Sequence, residues 1–127
     1  MKGVRRIYIF DYGGPVILVR IKEDSVVIHT RFGEEKLVRG MAAVATLLKK
    51  FRDTKFFSTP NYIGYFGKHY IGVAYVTNAR YATFILGFLR KLILKLDFMG
   101  EAFVEIVAKT VLAELRKVIR FEKVNIL

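Results

Sequence analysis

Apolar and polar positions along the chain change period several times, and each change marks an element. Residues 6–11 (RIYIFD) are β-branched and aromatic, which suits a strand, and Tyr12, Gly13, Gly14 and Pro15 follow as a tight hairpin turn. The return strand, 16–21 (VILVRI), is apolar almost throughout, so it is expected inside a sheet with both faces covered. A polar turn at Lys22, Glu23, Asp24 and Ser25 leads to 26–32 (VVIHTRF), a third strand or an extension of the hairpin.

Gly33 breaks the alternation, and from Glu34 and Glu35 the period becomes helical as far as Phe51. Leu37, Met41, Val44, Ala45, Leu48 and Phe51 recur at steps of three and four and make one apolar face. Acidic residues open this helix, and Lys49, Lys50 and Arg52 close it, as the helix dipole favours. Three short strands are predicted next, over 55–58, 62–66 and 70–76, split by Pro60 and Asn61 and then by Gly67 and Lys68. The last of them is again apolar and is expected to be internal.

Asn78 is placed to cap a second helix over 79–96. Tyr81, Ile85, Phe88, Leu89, Leu92 and Leu96 share one side of it, and Arg90, Lys91 and Lys95 share the other with Phe84 and Leu94. Gly100 punctuates, and a third helix is expected over 101–120 with Val104, Val107, Ala108, Val111, Leu115 and Val118 inward. Glu105 and Lys109 stand on its wet side as an i,i+4 pair. The predicted order is β-β-(β)-α-β-β-β-α-α in a single domain over 1–127. It is an α+β fold, a mostly antiparallel sheet of five to six strands covered by three helices.

This succession resembles the longin and roadblock family, which has the profilin-like fold. The resemblance is carried by residues 7–18 (IYIFDYGGPVIL), similar to the family's opening hairpin and glycine turn, and by 37–51 (LVRGMAAVATLLKKF), similar to its apolar first helix. The block from Tyr62 to Leu96, with Thr77 and Asn78 between an apolar strand and a long helix, looks like the same succession in small adaptin subunits. Two departures stand out. Residues 26–32 add strand-like sequence where many longins pass directly to the first helix, and no further element is expected after the third helix, so no SNARE coiled coil is implied. The resemblance implies a scaffold or regulator of a small GTPase or trafficking-like machinery, acting as a homodimer or with a related longin or roadblock subunit.

Composition narrows the chemistry. The chain has 127 residues, 54% of them apolar and none of them Cys, so there is material for one core but no disulfide or thiolate zinc site. The longest stretch free of charge, 56–67, is too short to cross a bilayer, and the N-terminus lacks the apolar run of a signal peptide. A cytoplasmic location, with peripheral membrane contact allowed, is the expectation. Lys and Arg number 22 against 11 Asp and Glu, a net +11, shared as 12 basic and 6 acidic over 1–64 and 10 and 5 over 65–127. The excess is therefore no tail, and it suits an acidic protein, nucleic acid or an anionic lipid surface.

Catalytic signatures are weak by comparison. Gly13 and Gly14 belong to neither a GxxxxGK[ST] loop nor a GxGxxG turn. Ser25 and Ser58 are the only serines and neither sits in a GxSxG elbow, while His29 and His69 stand apart from other candidate ligands. The expectation is a non-enzymatic interaction module with no cofactor and no metal. Its candidate partner residues are Met41, Val44 and Leu48 for helix packing or a partner groove, and Lys49, Lys50, Arg52, Lys55, Arg90, Lys91 and Lys95 for electrostatic docking.

Overall fold

The computed structural model describes residues 2–33 and 35–127. Its elements run β1 (Val4–Asp11), β2 (Gly14–Ile21), β3 (Ser25–His29), α1 (Glu35–Lys50), β4 (Phe56–Ser58), β5 (Tyr62–Phe66) and β6 (Tyr70–Val76). A single 3-10 turn (Ala79–Tyr81), α2 (Ala82–Met99), α3 (Val104–Arg116) and β7 (Lys123–Ile126) follow. The strands form one sheet in the order β4-β5-β6-β1-β2-β3-β7.

Local chemistry explains the hairpins. Asp11 Oδ1 accepts from Gly13 N at 2.7 Å and Gly14 N at 3.0 Å, closing the β1–β2 turn. Gly14 sits at φ +147°, where a side chain would be strained. At the β5–β6 turn, Asp97 of α2 accepts from Lys68 N at 2.6 Å, His69 N at 2.9 Å and Tyr70 N at 3.0 Å. Asn78 caps the 3-10 turn, its side chain accepting from Arg80 N at 3.0 Å.

The sheet is buried from both sides. Ile7, Ile9, Ile17, Val19 and Ala74 meet Ile85, Leu89, Leu92 and Ile93 of α2 and Val107, Val111 and Leu115 of α3. On the reverse, Tyr8, Phe10, Leu18, Ile71 and Val73 meet Leu37, Met41 and Val44 of α1 together with Phe57. Two covered faces account for the unbroken apolar runs of β2 and β6, both of which are internal strands.

The sheet is larger than the expected five to six strands, and it is mixed. β7 pairs with β3 in parallel, Ser25 opposite Lys123 through Ile28 opposite Ile126. The helical period of 104–116 does not continue to 120: α3 stops at Arg116, and Phe121 is buried with the Arg116 guanidinium 4.6 Å from its ring centre. α2 starts later than expected and runs on to Met99, where Gly100 at φ +72° ends it. β3 ends at His29, short of the expected Phe32. Glu34, expected in the first turn of α1, lies outside the described residues. No ion pair joins Glu105 and Lys109 among the described residues; Glu114 instead takes Lys117 Nζ at 2.6 Å and Lys95 Nζ at 3.8 Å.

Candidate functional site

The outward side of α2 departs from an ordinary solvated helix face. Positions 84, 87, 91, 94 and 98 align at steps of three and four, so Phe84, Gly87, Lys91, Leu94 and Phe98 form one ridge pointing away from the sheet. All five are exposed, and Phe98 reaches 93%. Gly87 slims the ridge: nothing lies within 4 Å of the place a Cβ would take.

Two hollows open beside that glycine. One, of about 450 Å³, lies among Phe84, Phe88, Leu94 and Val118, with Arg90 and Lys91 at its side. The other, of about 430 Å³, lies among Leu86, Thr83 and, from the β4–β5 end of the sheet, Lys55, Phe56 and Tyr65. Gly87 and Arg90 line both, so the two make one apolar trough across α2. No Asp or Glu is among the described residues that line it, whereas Lys55, Arg90 and Lys91 all are.

The cations of this face differ in how far they are already neutralised. Lys95 and Lys117 flank Glu114, and the Lys117 hydrogen bond holds that carboxyl below its ordinary range against the opposing effect of burial, with Lys95 and Lys91 adding attraction. Lys55, Arg90 and Lys91 have no carboxylate within ion-pair distance among the described residues.

The ten residues singled out from sequence separate into three groups of three and one lysine that stands apart. Met41 and Val44 are buried and Leu48 is half-buried in the cluster between α1 and the sheet, so of the two roles anticipated they fill helix packing on this chain's own strands. Lys49, Lys50 and Arg52 are exposed at the end of α1, and Lys50 Nζ lies 5.4 Å from the Phe51 ring centre. Lys55 leaves that group and joins Arg90 and Lys91, which lie on the opposite face of the sheet from α1, while Lys95 stays beside Glu114.

Two features escaped the sequence reading. Phe98 and Phe103, the latter 79% exposed, project from the α2–α3 bend. On the α1 side, Arg5, Arg6, Arg20 and Lys22 line a hollow of about 530 Å³. Its signal was present, because Arg6 and Arg20 interrupt apolar strands at mutually opposed positions of the first hairpin. Among the described residues no three His, Cys, Asp or Glu side chains gather as metal ligands, and no helix is long and apolar enough to cross a membrane. Comparison with protein-family models, with characterised proteins and with solved structures gives no match.

Proposed function

We propose that this chain is a non-enzymatic protein-interaction module that seats an acidic, amphipathic helix of a partner protein in the α2 trough. The observation that carries the reading is the pairing of exposed apolar side chains, Phe56, Phe84 and Leu94, with three cations that lack carboxylate partners among the described residues. A helix with apolar anchors at steps of three and four would fill the two hollows. Carboxylates on its flank would meet Lys55, Arg90 and Lys91, which favour fast and correctly oriented docking more than raw affinity. The longin and roadblock resemblance supports a small GTPase, or a related subunit in a dimer or hetero-complex, as the partner class. On this reading the chain is a cytoplasmic scaffold or regulator and transforms no substrate.

Sedimentation velocity with a small GTPase in each nucleotide state tests the proposal. A complex is expected, and Leu94→Glu should abolish it without unfolding the chain, because Leu94 is exposed. A monomer indifferent to every nucleotide state overturns the reading. So does binding to nucleic acid or anionic vesicles in its place, recognisable by a steep fall with salt, which assigns the cations to a phosphate-bearing surface instead.

A further inference from the structure

The hollow on the α1 side has a different chemistry from the trough. It opens where β1 begins and β2 and β6 end, and Leu37 and Gly40 of α1 form its far wall. Four of its side chains, Arg5, Arg6, Arg20 and Lys22, are cationic, and none of the described residues that line it is acidic. Arg6 and Arg20 are register partners on neighbouring strands, so two like charges stand side by side on one face of the sheet. Such a pair is unfavourable unless something negative lies between or above it. None of the four has an ion pair with a described carboxylate.

Two further observations concern the donors of this hollow. The Arg6 guanidinium lies 4.4 Å from the Tyr75 ring centre and 5.8 Å from that of Tyr8. Ring faces steady a guanidinium while leaving its N–H groups unspent. Tyr8 is only 1% exposed, yet its hydroxyl oxygen has no hydrogen-bond partner among the described residues. Burial pushes the Tyr8 phenol above its ordinary pKa, with Arg6 pulling the other way, so the hydroxyl keeps its proton and can donate. A buried polar group without a partner is destabilising, and native proteins rarely tolerate one without a reason.

Gly40 supplies the space in front of these donors. A Cβ there would lie 3.6 Å from Tyr8 Oη and 3.8 Å from Arg6 Nη1, which are ordinary contacts. Packing would therefore admit a side chain, and a glycine inside a helix lowers its stability. Without a side chain at Gly40, the Arg6 guanidinium stands in the wall of the hollow and the Tyr8 hydroxyl lies buried just behind it.

We infer that this hollow binds a small phosphorylated ligand, its phosphoryl oxygens taking hydrogen bonds from Arg6, Arg20 and Tyr8 Oη. Several convergent donors suit a tetrahedral, multiply charged group, which Arg grips in two-pronged fashion. Arg5 and Lys22 extend the charge towards a second phosphoryl group, and the volume is that of a small-molecule site. The phosphoryl group could belong to a free metabolite or to a lipid headgroup.

Calorimetry and thermal unfolding with inorganic pyrophosphate, together with flotation on vesicles bearing a phosphoinositide, test this inference and separate the two sources. Saturable pyrophosphate binding is expected to raise Tm, and Arg20→Ala should weaken that binding at least about tenfold, the loss of one charged hydrogen bond. Tyr8→Phe should raise the Tm of the free protein while weakening pyrophosphate binding, two opposite effects that a structural role alone does not produce. Gly40→Glu, which supplies a carboxylate from within the chain, should abolish binding and leave a folded protein. Flotation that Arg20→Ala abolishes assigns the ligand to a lipid, and pyrophosphate binding without flotation assigns it to a soluble phosphate. Leu94→Glu should leave either result unchanged, so this inference and the trough stand or fall separately. The inference is overturned if neither probe binds saturably, if potassium chloride at matched ionic strength shifts Tm equally, or if Arg20→Ala and Tyr8→Phe bind as wild type.

Discussion

Beneath α2 and α3 the sheet is closed by aliphatic side chains from two helices, whereas beneath α1 it is closed largely by rings. Width explains the contrast. Seven strands at about 4.8 Å spacing span roughly 30 Å, while a single helix is about 10 Å across. Two helices nearly span one face, but α1 alone is too narrow to span the other. Aromatic side chains take over: Phe57 stacks on Phe51 with centres 4.8 Å apart and meets Phe66 at 6.1 Å, and Tyr62 meets Tyr75 edge-on at 5.3 Å. Gly64 makes room for this arrangement, since a Cβ there would clash with the Phe57 ring. Where the rings end, Arg6 and Arg20 begin, so the charged hollow lies at the margin of an incompletely roofed face.

Three measurements would break or sharpen this contrast. Phe57→Ala should destabilise the chain by about 3–5 kcal/mol in denaturant unfolding, the usual range for a buried ring. Phe98→Ala, at the exposed α2–α3 bend, should change stability by less than about 0.5 kcal/mol. Equal effects at the two sites would show that the rings near α1 do not carry that face. Asp97→Ala removes the acceptor for three backbone N–H groups of the β5–β6 turn and should cost about 1.5–3 kcal/mol. Loss of amide protection should be concentrated at Lys68, His69 and Tyr70; a uniform loss over the sheet would mean that α2 does not pin the turn.

The smallest effect concerns pH and belongs to the two-helix side. The folded chain holds the Glu114 carboxyl below its ordinary value near 4.5, chiefly through Lys117. Its stabilisation is fully present above that value and is lost as pH falls through the lower folded value. Glu114→Gln should therefore flatten the acid limb of the Tm profile. An unchanged limb would remove the ion pair from the account of acid stability.

Elements closed by local turns could be read directly from the sequence. The first hairpin, α1 and the strands at 56–58, 62–66 and 70–76 all emerged from turn residues and period, close to their observed limits. β7 did not, because its partner lies nearly the whole chain away and its four residues show little burial pattern. The outward cations of α2 followed from helical spacing, but their union with Lys55 and Phe56 depends on how the β4 edge packs beside α2. Arg6 and Arg20 stand singly in apolar strands with no motif around them; only their register and the Tyr8 hydroxyl, without a partner among the described residues, mark them as a pair.

The β3–β7 pairing has a kinetic corollary. Closing residues 25 and 123 onto each other encloses every element from α1 to α3, so the entropy of loop closure is heavy until the intervening layers have docked. β7 is thus placed to join the rim after the rest has assembled. Being a short strand on an outer edge, it can also detach and reanneal in the folded state while the centre of the sheet stays shut.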